Sequence, residues 1–203
     1  MPDEVQKTEA IYLWDCLHDG TLEKLRSDLM ARTLTIVVDS PYHWECHRLP
    51  PDTRFQIVGE NVRIAETFDF EPWLGATEPP RDLPWKDAQE QRRQDSEKGR
   101  LISSDWNAFV AALETEEDHE ILLAELTNSQ PLAVLELGVY SYPNSNYYTV
   151  KIHAERFRFQ VGEREVSLED FQEFGAKYWQ AFAARSKTQD THTEPTSKES
   201  EPE

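Results

Sequence analysis

Apolar and polar positions alternate in Thr33-Leu-Thr-Ile-Val-Val-Asp39. The β-branched content of this run predicts a strand with a buried face. The segment before it, Leu22-Glu-Lys-Leu-Arg-Ser-Asp-Leu29, is less regular, because Leu22, Leu25 and Leu29 do not share one parity. Their spacing also fits a short helix. A neighbouring strand needs a partner, however, so the segment is expected to be a strand with a bulge near Lys24–Leu25. Ala31-Arg32 lies in the polar turn between the two.

The pattern continues in short strands with short links. Ile11 to Leu17 is apolar and aromatic, and reads as a short strand or the packed start of the domain. Tyr42 to Leu49 alternates, with Tyr42, Trp44 and Cys46 on one face and His43, Glu45 and His47 on the other. Arg54–Val58 and Val62–Phe70 read as strands, with Gly59-Glu60-Asn61 as a hairpin loop between them. Glu71 to Pro84 is proline-rich and loop-like, and Trp85 to Arg100 is charged without an apolar stripe. The latter reads as a solvated helix or a mobile insertion.

Trp106, Phe109, Val110 and Leu113 fall at helical spacing behind Ser104, the expected N-cap. Ile121–Thr127, Leu132–Tyr142, Tyr147–His153 and Glu155–Val161 then read as strands. A last helix begins at Ser167, with Asp170 in the capping-box position. Its stripe of Phe171, Phe174, Tyr178 and Phe182 must dock on an apolar face.

Short links between strands mean antiparallel pairing rather than βαβ units. The expected fold is α+β: an antiparallel β-sandwich or one strongly curved sheet, with a middle helix and a C-terminal amphipathic helix. Residues 1–10 are expected to be disordered. Residues 11–185 form one domain with a charged insertion near 78–100, and 186–203 form a disordered acidic tail.

Composition sharpens this picture. Only 38% of residues are hydrophobic, yet six Trp, seven Tyr and nine Phe supply enough ring area for a core. The formal net charge is −18. Such a body repels phosphates, which disfavours nucleic acid and anionic membranes as partners and favours a basic protein. The densest acidic run is Glu114, Glu116, Glu117, Asp118 and Glu120. No apolar run reaches the roughly 20 residues of a membrane span, and the polar N-terminus lacks a signal-peptide pattern. With two cysteines only, Cys16 and Cys46, a reducing cytoplasm is the expected location.

Candidate chemistry is sparse. On a strand, His43, Glu45 and His47 project to one side, a donor set suited to zinc or iron, with His18 and Cys16 as further donors if their segment lies alongside. Same-face residues lie about 6.6 Å apart along a strand, so one metal strains to reach the outer two. A solvated outer face explains the same residues. Cys46 falls on the face expected to be buried, which argues against a thiol nucleophile. Asp15, His18 and Asp19 form either an acid–base group or a plain turn. Gly-rich phosphate loops, nucleophile elbows, His-Glu-x-x-His and Cys-x-x-Cys are absent from the sequence.

The segment from Leu17-His-Asp-Gly-Thr-Leu22 through Arg32-Thr-Leu-Thr-Ile-Val-Val-Asp39 resembles the opening of small bacterial domains, uncharacterised or of the toxin-immunity type. There a His-Asp turn leads into two antiparallel strands. The resemblance implies a cytoplasmic binding protein without catalysis, and it supplies no binding residues. Together the residues point to a soluble, non-catalytic interaction or ligand-binding domain. The alternative is a metal-binding domain or metal-dependent enzyme centred on His43, Glu45 and His47.

Overall fold

A computed structural model describes residues 10–71, 79–80, 83–115, 118–142 and 146–190. Residues 1–9 of the stretch expected to be disordered, most of the loop at 71–84, residues 143–145 and the chain beyond 190 lie outside the described residues, as do Glu116 and Glu117.

The two strands read from the opening pattern are present as β2 (Thr21–Asp28) and β3 (Thr33–Asp39). Their ladder slips between Leu22 and Lys24, which is the bulge that the leucine spacing requires. Ahead of them lie β1 (Ala10–Tyr12) and the single turn α1 (Trp14–Leu17). After them come α2 (Pro41–His47), β4 (Arg54–Glu60) and β5 (Ile64–Glu71). The charged stretch forms α3 (Trp85–Glu97), a largely solvated helix, followed by β6 (Arg100–Ser104) and α4 (Trp106–Thr115). The remainder is β7 (His119–Thr127), β8 (Ala133–Ser141), β9 (Asn146–Ala154), β10 (Arg156–Val161), β11 (Arg164–Val166) and α5 (Leu168–Asp190).

All strand pairs are antiparallel, in the order β11-β10-β4-β3-β2-β7-β8-β9-β5-β6, with β1 added on β7. The sheet is strongly curved and unclosed. The reading of Gly59-Glu60-Asn61 as a hairpin is corrected by this order. β4 pairs with β10 and β5 pairs with β9, through Glu60↔Arg156 on one side of the break and Ile64↔His153 on the other. Residues 54–71 and 146–161 are therefore two long strands that bend together at a corner. Asn61 takes the left-handed conformation there, with φ 51°. Two backbone bonds pin the bend: Glu155 N–H donates to Glu60 O at 3.0 Å, and Arg63 N–H to His153 O at 2.9 Å. Gly and Asn mark a turn in either case; only the distant partner strand decides that it is a bend.

The corner divides the sheet into two leaves. The core lies between them: Leu22, Ile36, Val38, Phe55 and Ile57 from one leaf, and Ile121, Leu135, Leu137 and Ile152 from the other. Helix α4 adds Phe109 and Leu113 to this core. Its N-cap is Asp105 rather than Ser104, since Asp105 Oδ1 accepts from Asn107 N–H at 2.8 Å. Ser104 instead ends β6, with its hydroxyl 2.8 Å from that of Thr67.

The last helix starts as expected, with Asp170 N–H donating to Ser167 Oγ at 3.0 Å. Phe171 is fully buried, its ring packed on Phe159 and Phe55 at centroid distances of 5.0 and 5.8 Å. Gly175 lets α5 cross α1 closely, because a Cβ there would lie 2.4 Å from the carbonyl carbon of Asp15. The helical backbone continues to Asp190, past the expected boundary at Arg185. Among the described residues no helix is long and apolar enough to cross a membrane.

Candidate functional site

The segment that suggested a metal site is a helix, not a strand. Pro41 is pre-set for the first helical turn, and Arg48 ends the helix in the left-handed conformation with φ 54°. A run of seven residues fits period 2 or period 3.6, and here the helical period holds. This corrects the face assignment. His43 and His47 share one side at i, i+4, while Glu45 is turned about 200° away from His43. His43 is buried and Tyr42 is exposed, the reverse of the strand reading.

The two imidazoles act as ties. His43 Nε2 lies 3.0 Å from the Cys16 carbonyl in α1, and His47 Nε2 lies 2.9 Å from the Phe174 carbonyl in α5. Both contacts require the ring N–H on Nε2. The rings stack on each other at 5.4 Å, and His43 also packs on Phe55 and Tyr178. Burial lowers the pKa of His43 to about 4 and lowers that of His47 as well. Glu45 lines a different recess, with Tyr42, Cys46, Tyr178 and Phe182. Among the described residues no group of three or more His, Cys, Asp or Glu is placed to hold a metal.

Cys16 is buried in the core cluster, and its thiol is pushed far up by that burial. His18 Nδ1 stands 2.6 Å from Asp19 Oδ1, and the imidazole edge packs on Trp14 at 4.1 Å. Asp15 takes part through its backbone, accepting from Trp179 Nε1 at 3.0 Å. The three residues thus serve a turn and a ring cluster.

A different set of residues converges at the seam where the two leaves meet. There β2 joins β7 through the pair Thr21↔Glu120, and Ile121 N–H donates to Gly20 O at 2.9 Å. Beside this narrow junction the surface opens into two recesses. The smaller, about 360 Å³, is lined by Asp19, Thr21, Tyr42, Asp118, Glu120 and Tyr142. The larger, about 630 Å³, runs from Thr21 and Lys24 past Asp39 and Arg54 to Leu113, Glu114, Asp118 and His119. Thr21 and Asp118 border both.

The chemistry of the seam is anionic. Asp118 sits in the left-handed conformation with φ 73°, and its carbonyl accepts from Tyr142 N–H at 3.2 Å. Tyr142 donates its hydroxyl to Glu120. That bond raises the Tyr142 pKa; burial raises that of Tyr42, with Asp19 and Glu120 adding to it. Arg54 lines the larger recess but is already held, by Glu23 at 2.8 Å and Asp39 at 3.2 Å. Glu114, Asp118 and Glu120 pair with no cation among the described residues.

The acidic run 114–120 marked part of this site in the sequence. Asp19, Tyr42 and Tyr142 reach it from distant segments, and no local pattern announces them. Set against protein-family models, curated proteins and solved structures, the chain finds no match in any of the three.

Proposed function

We propose that the protein is a non-catalytic binding domain whose acidic seam captures a basic segment of another protein. One observation carries this reading. Asp19, brought in from before β2, joins Glu114, Asp118 and Glu120 of the acidic run along two adjoining recesses, and those three pair with no cation among the described residues. Two tyrosines, Tyr42 and Tyr142, stand among these acids with exposed rings. Aromatic faces beside carboxylates suit an ammonium or guanidinium group, which gains from both the ring quadrupole and the charge. The net charge of −18 extends the attraction beyond contact distance and speeds encounter at low salt. A binding domain also agrees with what the resemblance of residues 17–39 implies, without depending on it.

The test is a titration with a basic peptide at two ionic strengths. The protein should bind a lysine- and arginine-rich peptide, and binding should weaken steeply as salt shortens the Debye length to about 8 Å. Asp19→Asn, Glu114→Gln, Asp118→Asn and Glu120→Gln combined should weaken it roughly tenfold or more, if each exposed pair contributes about 0.2–1 kcal/mol. Affinity that ignores both salt and these substitutions would refute the proposal.

A further inference from the structure

The two ends of the sheet are guarded differently. At one end β11 is three residues long, and two of them, Arg164 and Glu165, are charged. Short, charged edges resist pairing with another chain. At the other end β6 runs for five residues, Arg100-Leu-Ile-Ser-Ser104, as a regular ladder on β5 without a bulge or a proline. Its one charge, Arg100, stands at the first position and is held by Glu71 of β5. Leu101 and Ile102 are 43% and 39% exposed. Beyond the ladder to β5, the strand takes no backbone bond among the described residues. The N–H and C=O groups along that outer edge are a template for a further strand.

The residues of β6 say which strand fits. Set antiparallel to its own copy, β6 pairs over all five residues in one register only, with Ile102 on the two-fold axis. Leu101 then faces Ser103 and Arg100 faces Ser104, each pair twice over. No like charges are opposed, and the two Arg100 side chains lie at opposite ends. A β-branched pair sits at the centre, the kind of cross-strand contact that stabilises a sheet. On the other face Leu101 and Ser103 lie opposite Phe70 and Phe68 of β5. The two copies' Leu101 side chains extend that apolar row and come within diagonal reach of each other. The edge is thus self-complementary, as a two-fold interface demands.

We propose that β6 is a dimerisation edge: two copies of the chain join β6 to β6 about a two-fold axis through Ile102, making one continuous sheet of both. The interface lies on a different strand from the acidic seam and does not rest on that reading. A pair of five-residue strands buries little area, so the dimer is weak and forms as concentration rises. Salt separates it from the seam. Each copy carries a net charge of −18, and salt screens the repulsion between copies, so the dimer tightens as salt rises. Capture of a basic peptide weakens under the same change.

The experiment is sedimentation equilibrium of the full chain over a range of concentrations, at low and high salt. The mass should rise from 23.7 kDa toward twice that value, and at lower concentration when salt is high. Ile102→Lys sets like charges against each other on the axis and should weaken the dimer roughly tenfold or more. Met30→Lys, at the exposed tip of the β2–β3 turn, should leave it unchanged. Amide exchange in the natural chain gives a second reading that needs no variant: the outward amides of β6 should slow as concentration rises. A chain that stays monomeric throughout, growth beyond two copies, a dimer indifferent to Ile102→Lys or a dimer lost in Met30→Lys overturns the proposal. If Ile102→Lys does not fold, unchanged exchange along β6 overturns it instead.

Discussion

The sheet has two junctions between its leaves, and they differ in what they do with charge. At the corner, every acid that faces the bend has a cation. Glu60 accepts from Arg156 and Arg158, Arg158 also reaches Glu165 at 2.7 Å, and Glu155 accepts from Arg63 and Asn61. At the seam, Glu114, Asp118 and Glu120 have none among the described residues. The corner is formed by two continuous strands and is neutralised from within. The seam is formed by one ladder pair and is left anionic. If the seam binds a basic partner as proposed, binding and the ion pairs of the corner can each be altered without the other.

The largest effect should come from neither junction but from the helix α5, which packs on β4 and β10. Phe171→Ala empties a fully buried ring site and should cost roughly 3–5 kcal/mol. Phe174 is only half-buried, so its truncation should cost less, although the sequence stripe ranks the two equally. Denaturant unfolding of both variants checks the order. In the folded fraction of Phe171→Ala, affinity for a basic peptide should be unchanged; a parallel loss would tie the seam to the core.

Acidification comes next. His43 is held neutral, with its pKa lowered from 6.5 to about 4. The unfolded chain takes up a proton near pH 6.5 and the folded one resists until about pH 4. The unfolded state therefore binds more protons in that window. Stability should be constant above about pH 6.5 and fall as the pH drops toward 4, by about 3 kcal/mol from this group. His47 adds to the same trend. His43→Phe, beside Phe55 and Tyr178, should flatten the profile; an unchanged slope between pH 7 and 4.5 would show that other groups set it.

The smallest effects separate the junctions directly. Glu60→Gln at the corner should cost about 1 kcal/mol, because Arg156 loses its charged partner and Arg158 keeps only Glu165. Its carboxyl is held below the usual range by Arg156 and then Arg158, so this contribution exists above about pH 4.5 and fades on further acidification. Asp118→Asn at the seam should change stability by less than about 0.5 kcal/mol. Thermal melts of the two variants side by side decide whether the contrast holds.

Much of this architecture was legible in the residues. The β2–β3 pair, its bulge and the Ser167 cap follow from local spacing, because parity and capping act over a few residues. The helix at Pro41–His47 was not legible from alternation, which overlooked the Pro41 start and used too short a window to separate the two periods. The corner was hidden for a different reason. Whether Gly59-Glu60-Asn61 reverses or merely bends the chain depends on residues 153–156, almost a hundred positions away. The seam was half visible: its acidic run stands out, whereas Asp19 and Tyr142 join it only through the β2–β7 and β8 register. His119 carried no sequence signal at all, since a histidine opening a strand is ordinary until its burial is seen.

The single rung at Thr21↔Glu120 also has a mechanical meaning. The corner is a spine through which two covalently continuous strands pass, and the rung is the clasp on the opposite margin. Pulled apart, the molecule would open like a book, surrendering a few backbone bonds at the clasp before any at the spine. Amide protons near Gly20 and Ile121 would then exchange through this local opening, ahead of those along β3 and β8. A partner laid across both recesses would bridge the margin and become a second clasp, slowing that exchange without touching the interior.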